Sequence, residues 1–126
     1  MSAEGKVIRR VLLVDDEPLV LRSVSRLLTP TFDIVTAGGA EEAVRAIESA
    51  PFDAVITDYH LRGRTGAWFL GFLQVRYPDV RRILTSASEI EDLDILMRSG
   101  RVEAFLPKPA IPKEIRATLR RRRKGG

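Results

Sequence analysis

Four short, uninterrupted apolar runs constrain this chain most: Val11-Leu12-Leu13-Val14, Ala54-Val55-Ile56, Ile83-Leu84 and Ala104-Phe105-Leu106. A strand with one wet face alternates apolar and polar residues, so continuous runs bounded by turn or polar residues predict strands buried on both faces. Asp33-Ile34-Val35-Thr36 is a weaker fifth. Helical patterns lie between them. Val20, Val24, Leu27 and Leu28 share one stripe, as do Ala40, Ala43, Val44 and Ile47, with Glu41 four residues before Arg45 on the wet side. A third helix is expected from near Gly66 to before Pro78, a fourth from Glu89 to Arg98 closing at Gly100, and a fifth after Pro112 with Ile111, Ile115 and Leu119 as its inner edge. Five strand-helix units with right-handed crossovers predict an α/β, doubly wound parallel sheet with helices on both faces.

Ligands of such sheets sit outside the carboxyl ends of the strands, and polar residues stand where the runs stop: Asp15 and Asp16, Asp58, Ser86 and Lys108. Each alone has an ordinary explanation. Asp15-Asp16 before Glu17-Pro18 suits helix capping, Asp58 a turn, Ser86 a satisfied loop hydroxyl and Lys108 a solvated surface lysine. Together they describe an acidic metal site beside a cation, because adjacent carboxylates raise each other's free energy unless positive charge lies near. Magnesium suits such a site, since it takes oxygen ligands and keeps waters and phosphate beside one or two carboxylates.

Val11 through Pro18, Val55-Ile56-Thr57-Asp58, Leu61 through Gly66, Ser86-Ala87 and Phe105-Leu106-Pro107-Lys108-Pro109 resemble the receiver domains of two-component response regulators, over about residues 7–119. The resemblance implies a flavodoxin-like, five-stranded parallel sheet in the order 2-1-3-4-5 with five helices. It implies that Asp58 accepts a phosphoryl group from a histidine kinase or phosphotransfer protein. Mg2+ would be held by Asp16, Asp58 and the backbone carbonyl of His60, with Asp15 acting largely through water. Lys108 matches the lysine that pairs with phosphoryl oxygens, usually joined by a cis bond to the next proline, here Pro109. Ser86 matches the switch hydroxyl, chosen over Thr85 because small Ala87 follows it, and Phe105 the aromatic whose rotation alters the surface. The implied output is contact with a downstream protein target. Such a domain assists its own phosphorylation and dephosphorylation and is not a turnover enzyme.

Departures from the family pattern are Arg62, where proline is commonest, His60 and Arg64 beside the acceptor, and Phe105 in place of tyrosine. The His60 imidazole is expected to point outward. Trp68, Phe72 and Val75 form a second apolar stripe on the third helix, beside the inner stripe of Phe69, Leu70 and Leu73; it suits either cover by a neighbouring helix or the tail, or a partner or homodimer surface. The alternative function is a receiver-like interaction module that works without phosphorylation. A hydrolase using an aspartyl-phosphate ranks below it, because His60 stands where such families need a second acid.

With 126 residues, 44% apolar and 30% charged, the chain suits one soluble domain. It has no cysteine, which excludes disulfides and thiolate metal sites and fits a reducing cytoplasm. No secretory signal and no membrane-spanning run is visible. The net charge is +4, yet Arg120-Arg121-Arg122-Arg123-Lys124 alone carries five positive charges and taking them away leaves −1, so basicity belongs to a tail at 120–126. Without interleaved aromatics, that tail points away from nucleic acid.

Overall fold

The computed structural model describes residues 7–121. Its strands are β1 (Arg10–Val14), β2 (Asp33–Ala37), β3 (Ala54–Asp58), β4 (Arg81–Ser86) and β5 (Ala104–Pro107). They alternate with α1 (Pro18–Leu28), α2 (Ala40–Ser49), α3 (Gly66–Arg76), α4 (Leu93–Arg98) and α5 (Pro112–Arg120). All pairings are parallel and the order is β2-β1-β3-β4-β5, as the resemblance implies. The strands are continuous runs because both faces of the sheet are covered. One apolar cluster gathers Leu12, Val55, Phe69, Leu70, Leu73 and Leu84, and a second gathers Val11, Leu13, Leu28, Ile56, Ile83 and Leu119. The edge strand β2 is mostly half-buried or exposed, which is why its run is the weakest.

Helix boundaries follow local chemistry. Pro18 opens α1 at its first turn, and the Thr65 hydroxyl caps α3 by accepting the Trp68 N–H at 3.1 Å. α3 ends at Arg76, before Pro78, and Gly100 terminates α4 at φ +81°, a left-handed conformation that favours glycine.

Three expectations need correction. α4 begins at Leu93, because the Leu93 N–H bonds the Ile90 carbonyl at 3.2 Å in a turn and helical bonding starts with Leu96 N–H to Asp92 at 3.0 Å. In α1 the inner stripe is Leu21, Val24 and Leu28, whereas Leu27 is 51% exposed. Ile111 is the N-cap of α5 and is exposed, so of the expected edge only Ile115 and Leu119 are buried, together with Thr118.

β4 starts on two buried arginines that apolar periodicity does not reveal. The Arg82 guanidinium donates to the carbonyls of Pro78 (2.9 Å), Val80 (3.1 Å) and Gly100 (3.0 Å) and lies 3.6 Å from Glu103 Oε1. Arg81 donates to the Arg121 carbonyl. Both sit at the amino end of the strand, far from the polar rim. Residues 122–126, most of the basic tail, lie outside the described residues.

Candidate functional site

The carboxyl ends of β1, β3 and β5 bring four of the expected side chains together. Asp15 and Asp16 follow β1, Asp58 ends β3, and Lys108 follows β5, held by its N–H bond to the Ser86 carbonyl at 2.9 Å. Oxygens of Asp15, Asp16 and Asp58 all lie within 4.8 Å of one another. Neither aspartate caps α1, whose N-cap is Glu17; Asp15 Oδ1 accepts the Glu17 N–H at 3.0 Å and so shapes the turn into the helix. Its other oxygen, Oδ2, accepts from Lys108 Nζ at 2.7 Å, and Asp58 Oδ1 lies 3.6 Å from the same ammonium.

Three carboxylates against one ammonium leave two uncompensated negative charges, which match a divalent cation. Oxygens sharing one Mg2+ with bonds of ~2.1 Å lie ~3 to ~4.2 Å apart, so a small closure of the acidic cluster suits that ion. Burial raises the Asp58 pKa above its ordinary value; the Lys108 charge offsets part of that rise, while Asp15 and Asp16 add to it. Burial pulls the Lys108 pKa down, but the hydrogen bond and charge of Asp15, then Asp58, outweigh it and hold the ammonium above its ordinary value. Beside the cluster, a cavity of about 340 Å³ opens between α1 and α5, walled by Leu19, Val24, Pro109 and Ile115 and reaching Asp58 and Lys108.

The loop after Asp58 is drawn tightly back onto the strand. The Gly66 N–H bonds the Tyr59 carbonyl at 2.8 Å, and a Cβ on Gly66 would stand 2.1 Å from the Asp58 carbonyl oxygen. Only glycine permits that approach. Gly63 supplies the reversal at φ +82°, beside exposed Arg62. The peptide bond from Lys108 to Pro109 is cis.

The remaining expected residues are placed differently. Ser86 is 2% exposed, and its hydroxyl donates to the Ser88 carbonyl at 2.9 Å while accepting the Ser88 N–H at 3.1 Å. Thr85, not Ser86, pairs in register with Asp58. The His60 imidazole is exposed, as expected, but has a partner: its Nε2 lies 3.1 Å from Ser88 Oγ. Ser88 is thus a site neighbour that the sequence alone does not single out, joining the loop after β3 to the loop after β4. Phe105 is half-buried against the larger apolar cluster.

The response regulator receiver domain family matches residues 11–120. The chain therefore belongs to the response regulator receiver domain family, whose members are signalling modules of two-component systems. It is 29% identical over 111 residues to the hydrogenase transcriptional regulatory protein HoxA of Cupriavidus necator, covering 87% of this chain and 23% of that protein. It is 30% identical to the alginate biosynthesis transcriptional regulatory protein AlgB of Pseudomonas aeruginosa, covering 85% of this chain and 24% of that protein. The chain thus spans about a quarter of each regulator's length. Among solved structures, the signal receiver domain of an HD domain-containing protein from Pseudomonas fluorescens superposes with a TM-score of 0.84 at 28% identity, over 90% of this chain and 92% of that one. The response regulator TrrA of Thermotoga maritima, in complex with Mg(2+)-BeF, superposes with a TM-score of 0.79 at 26% identity, over 89% and 96%. Among the described residues no helix is long and apolar enough to cross a membrane.

Proposed function

We propose that the chain accepts a phosphoryl group on Asp58 from a phosphohistidine of a histidine kinase or phosphotransfer protein, and passes the signal to a downstream protein target in the cytoplasm. The observation that carries this reading is the convergence of Asp15, Asp16, Asp58 and Lys108, from loops more than forty residues apart, within hydrogen-bonding and metal-sharing distance. An Asp58 oxygen attacks phosphorus, the new acyl P–O bond forms as the P–N bond breaks, and the leaving imidazole nitrogen keeps the electron pair. Asp16, Asp58 and the His60 carbonyl would hold Mg2+, with Asp15 acting largely through water, and the bound ion would supply charge compensation to the phosphoryl oxygens. Lys108 supplies the other compensating charge by turning from Asp15 towards the acceptor.

Ser86 then leaves the Ser88 carbonyl to donate to a phosphoryl oxygen, and Phe105 moves into the space it vacates. The result is a two-state change of the surface formed by α4, β5 and α5. The receiver unit is residues 7–119, with 120–126 as an appended basic segment, and the domain promotes only its own phosphorylation and hydrolysis. The test is intact mass after incubation with acetyl phosphate and Mg2+. Native protein gains one phosphoryl group and Asp58→Asn gains none; an unmodified native chain, or equal labelling of the variant, sinks the proposal and leaves the phosphorylation-independent interaction module.

A further inference from the structure

The outer face of α3 carries an arrangement that phosphoryl chemistry does not use. Trp68, Phe72 and Arg76 recur at every fourth position of α3, which stacks their side chains in one row, and Arg64, two residues ahead of the helix, extends it over Trp68. The Arg64 guanidinium lies 4.4 Å from the Trp68 ring centre, Trp68 and Phe72 stack at 6.0 Å with planes 18° apart, and the Arg76 guanidinium lies 5.6 Å from the Phe72 ring centre. A cation closes each end of an aromatic pair. Beside the row, Arg101 brings its guanidinium to within 2.9 Å of where a Cβ on Gly71 would stand, so the missing side chain admits a third positive group. Three other arginines find carboxylates: Arg10 with Asp33, Arg82 with Glu103 and Arg98 with Asp94. α3 itself contains no acidic residue, and among the described residues Arg64, Arg76 and Arg101 form no ion pair. Between the arginines Trp68 is 37% exposed and Phe72 is half-buried against the larger apolar cluster, and beside the row Val75 is 81% exposed.

We propose that this face docks an acidic amphipathic helix of a partner protein, whose carboxylates engage Arg64 and Arg76 while its apolar side chains lie on Trp68, Phe72 and Val75. A guanidinium attracted to a ring face is held near it, yet keeps N–H groups free for a carboxylate. The eleven residues of α3 span roughly 16 Å with Arg64 and Arg76 near its two ends, so a matching helix carries its carboxylates about three turns apart. Single-stranded nucleic acid fits less well, because bases need open ring faces and Trp68 already stacks against Arg64 and Phe72. A second copy of the chain fits less well too, since two-fold pairing of this face sets arginine against arginine. None of these side chains belongs to the proposed phosphoryl site.

Trp68 is the sole tryptophan of the chain, so its fluorescence reports occupancy directly. The full chain is titrated with three probes: a synthetic helical peptide bearing Glu pairs twelve residues apart along a Leu face, the same peptide with Gln for Glu, and an oligothymidylate. The expected result is a saturable, salt-sensitive shift of Trp68 emission with the Glu peptide alone. Replacing both exposed arginines, Arg64→Glu with Arg76→Glu, weakens it at least about tenfold while circular dichroism stays native. A flat Trp68 signal up to millimolar Glu peptide overturns the proposal. So do equal affinity of the double variant, preference for the oligothymidylate, or self-association of the native chain that Trp68→Gln abolishes.

Discussion

Lys108 Nζ lies 2.7 Å from Asp15 Oδ2 but 3.6 Å from Asp58 Oδ1, so the ammonium is bonded to one carboxylate and only near the other. Asp15 is 3% exposed, and Lys108 is its one cationic partner among the described residues. Lys108→Met is expected to destabilise the fold by about 2 kcal/mol at neutral pH, since it strands a buried charge-assisted acceptor. The raised Lys108 pKa sets the sign of the pH dependence. The stabilisation is whole below the ordinary lysine pKa of ~10.4 and disappears as pH climbs through the folded-state value. Urea melts of both proteins from pH 7 to 11 check this.

Asp58 shows the same sign of pH dependence for a different reason, since burial here favours the neutral form. Its folded-state pKa is raised, so the group favours the folded state below the ordinary aspartate value of ~3.9 and loses that contribution as pH rises through the folded-state pKa. In metal-free buffer at pH 7, Asp58→Asn is expected to be more stable than native protein, with the gap closing as pH falls towards 4. A variant less stable at pH 7 contradicts this account.

Magnesium is expected to reverse that ranking. A ligand that binds only the folded state at a hundred times its Kd adds about 2.7 kcal/mol. Native protein should therefore gain thermal stability with Mg2+, whereas Asp16→Asn and Asp58→Asn should gain much less, as calorimetry with and without chelator will register.

Gly66→Ala probes the loop after the acceptor. Its Cβ would meet the Asp58 carbonyl oxygen, and backbone on both sides gives little room to relax. A loss of roughly 2 kcal/mol is expected, together with slower labelling of Asp58 by acetyl phosphate. Gly63→Ala has open space but the wrong φ, so it should cost about 1 kcal/mol and spare labelling.

Arg82→Met tests the buried clamp at the opposite end of the sheet. It removes the donor shared by three carbonyls and the cation beside Glu103, whose Oε1 keeps the Arg82 N–H at 3.0 Å, so a loss of about 3 kcal/mol is expected in chemical denaturation, without effect on Mg2+ affinity.

The central strands and the acidic rim were legible in the sequence for a physical reason. Strands covered on both faces tolerate few polar residues, so Val11–Val14 and Ala54–Ile56 stand out, and the first carboxylate beyond each one, Asp15 and Asp58, marks the rim. Arg81 and Arg82 escape that logic because their burial depends on distant partners: Glu103, Gly100 and Arg121. The late start of α4 is hidden for a similar reason. Glu89 to Asp92 suit a helix, and only the packing of Ile90 and the Ser86–Ser88 turn directs the chain otherwise. The His60–Ser88 contact joins residues 28 apart, which no local pattern encodes.

The clamp on Arg82 makes β4 mechanically lopsided. Its entry is riveted to the segments around Pro78 and Gly100, whereas its exit, at Ser86, leads into a short turn and a six-residue helix with one buried side chain, Leu96. A disturbance at the exit meets an anchored entry behind it and a sparsely packed segment ahead, so it is expected to spread outward through α4 rather than back along the strand.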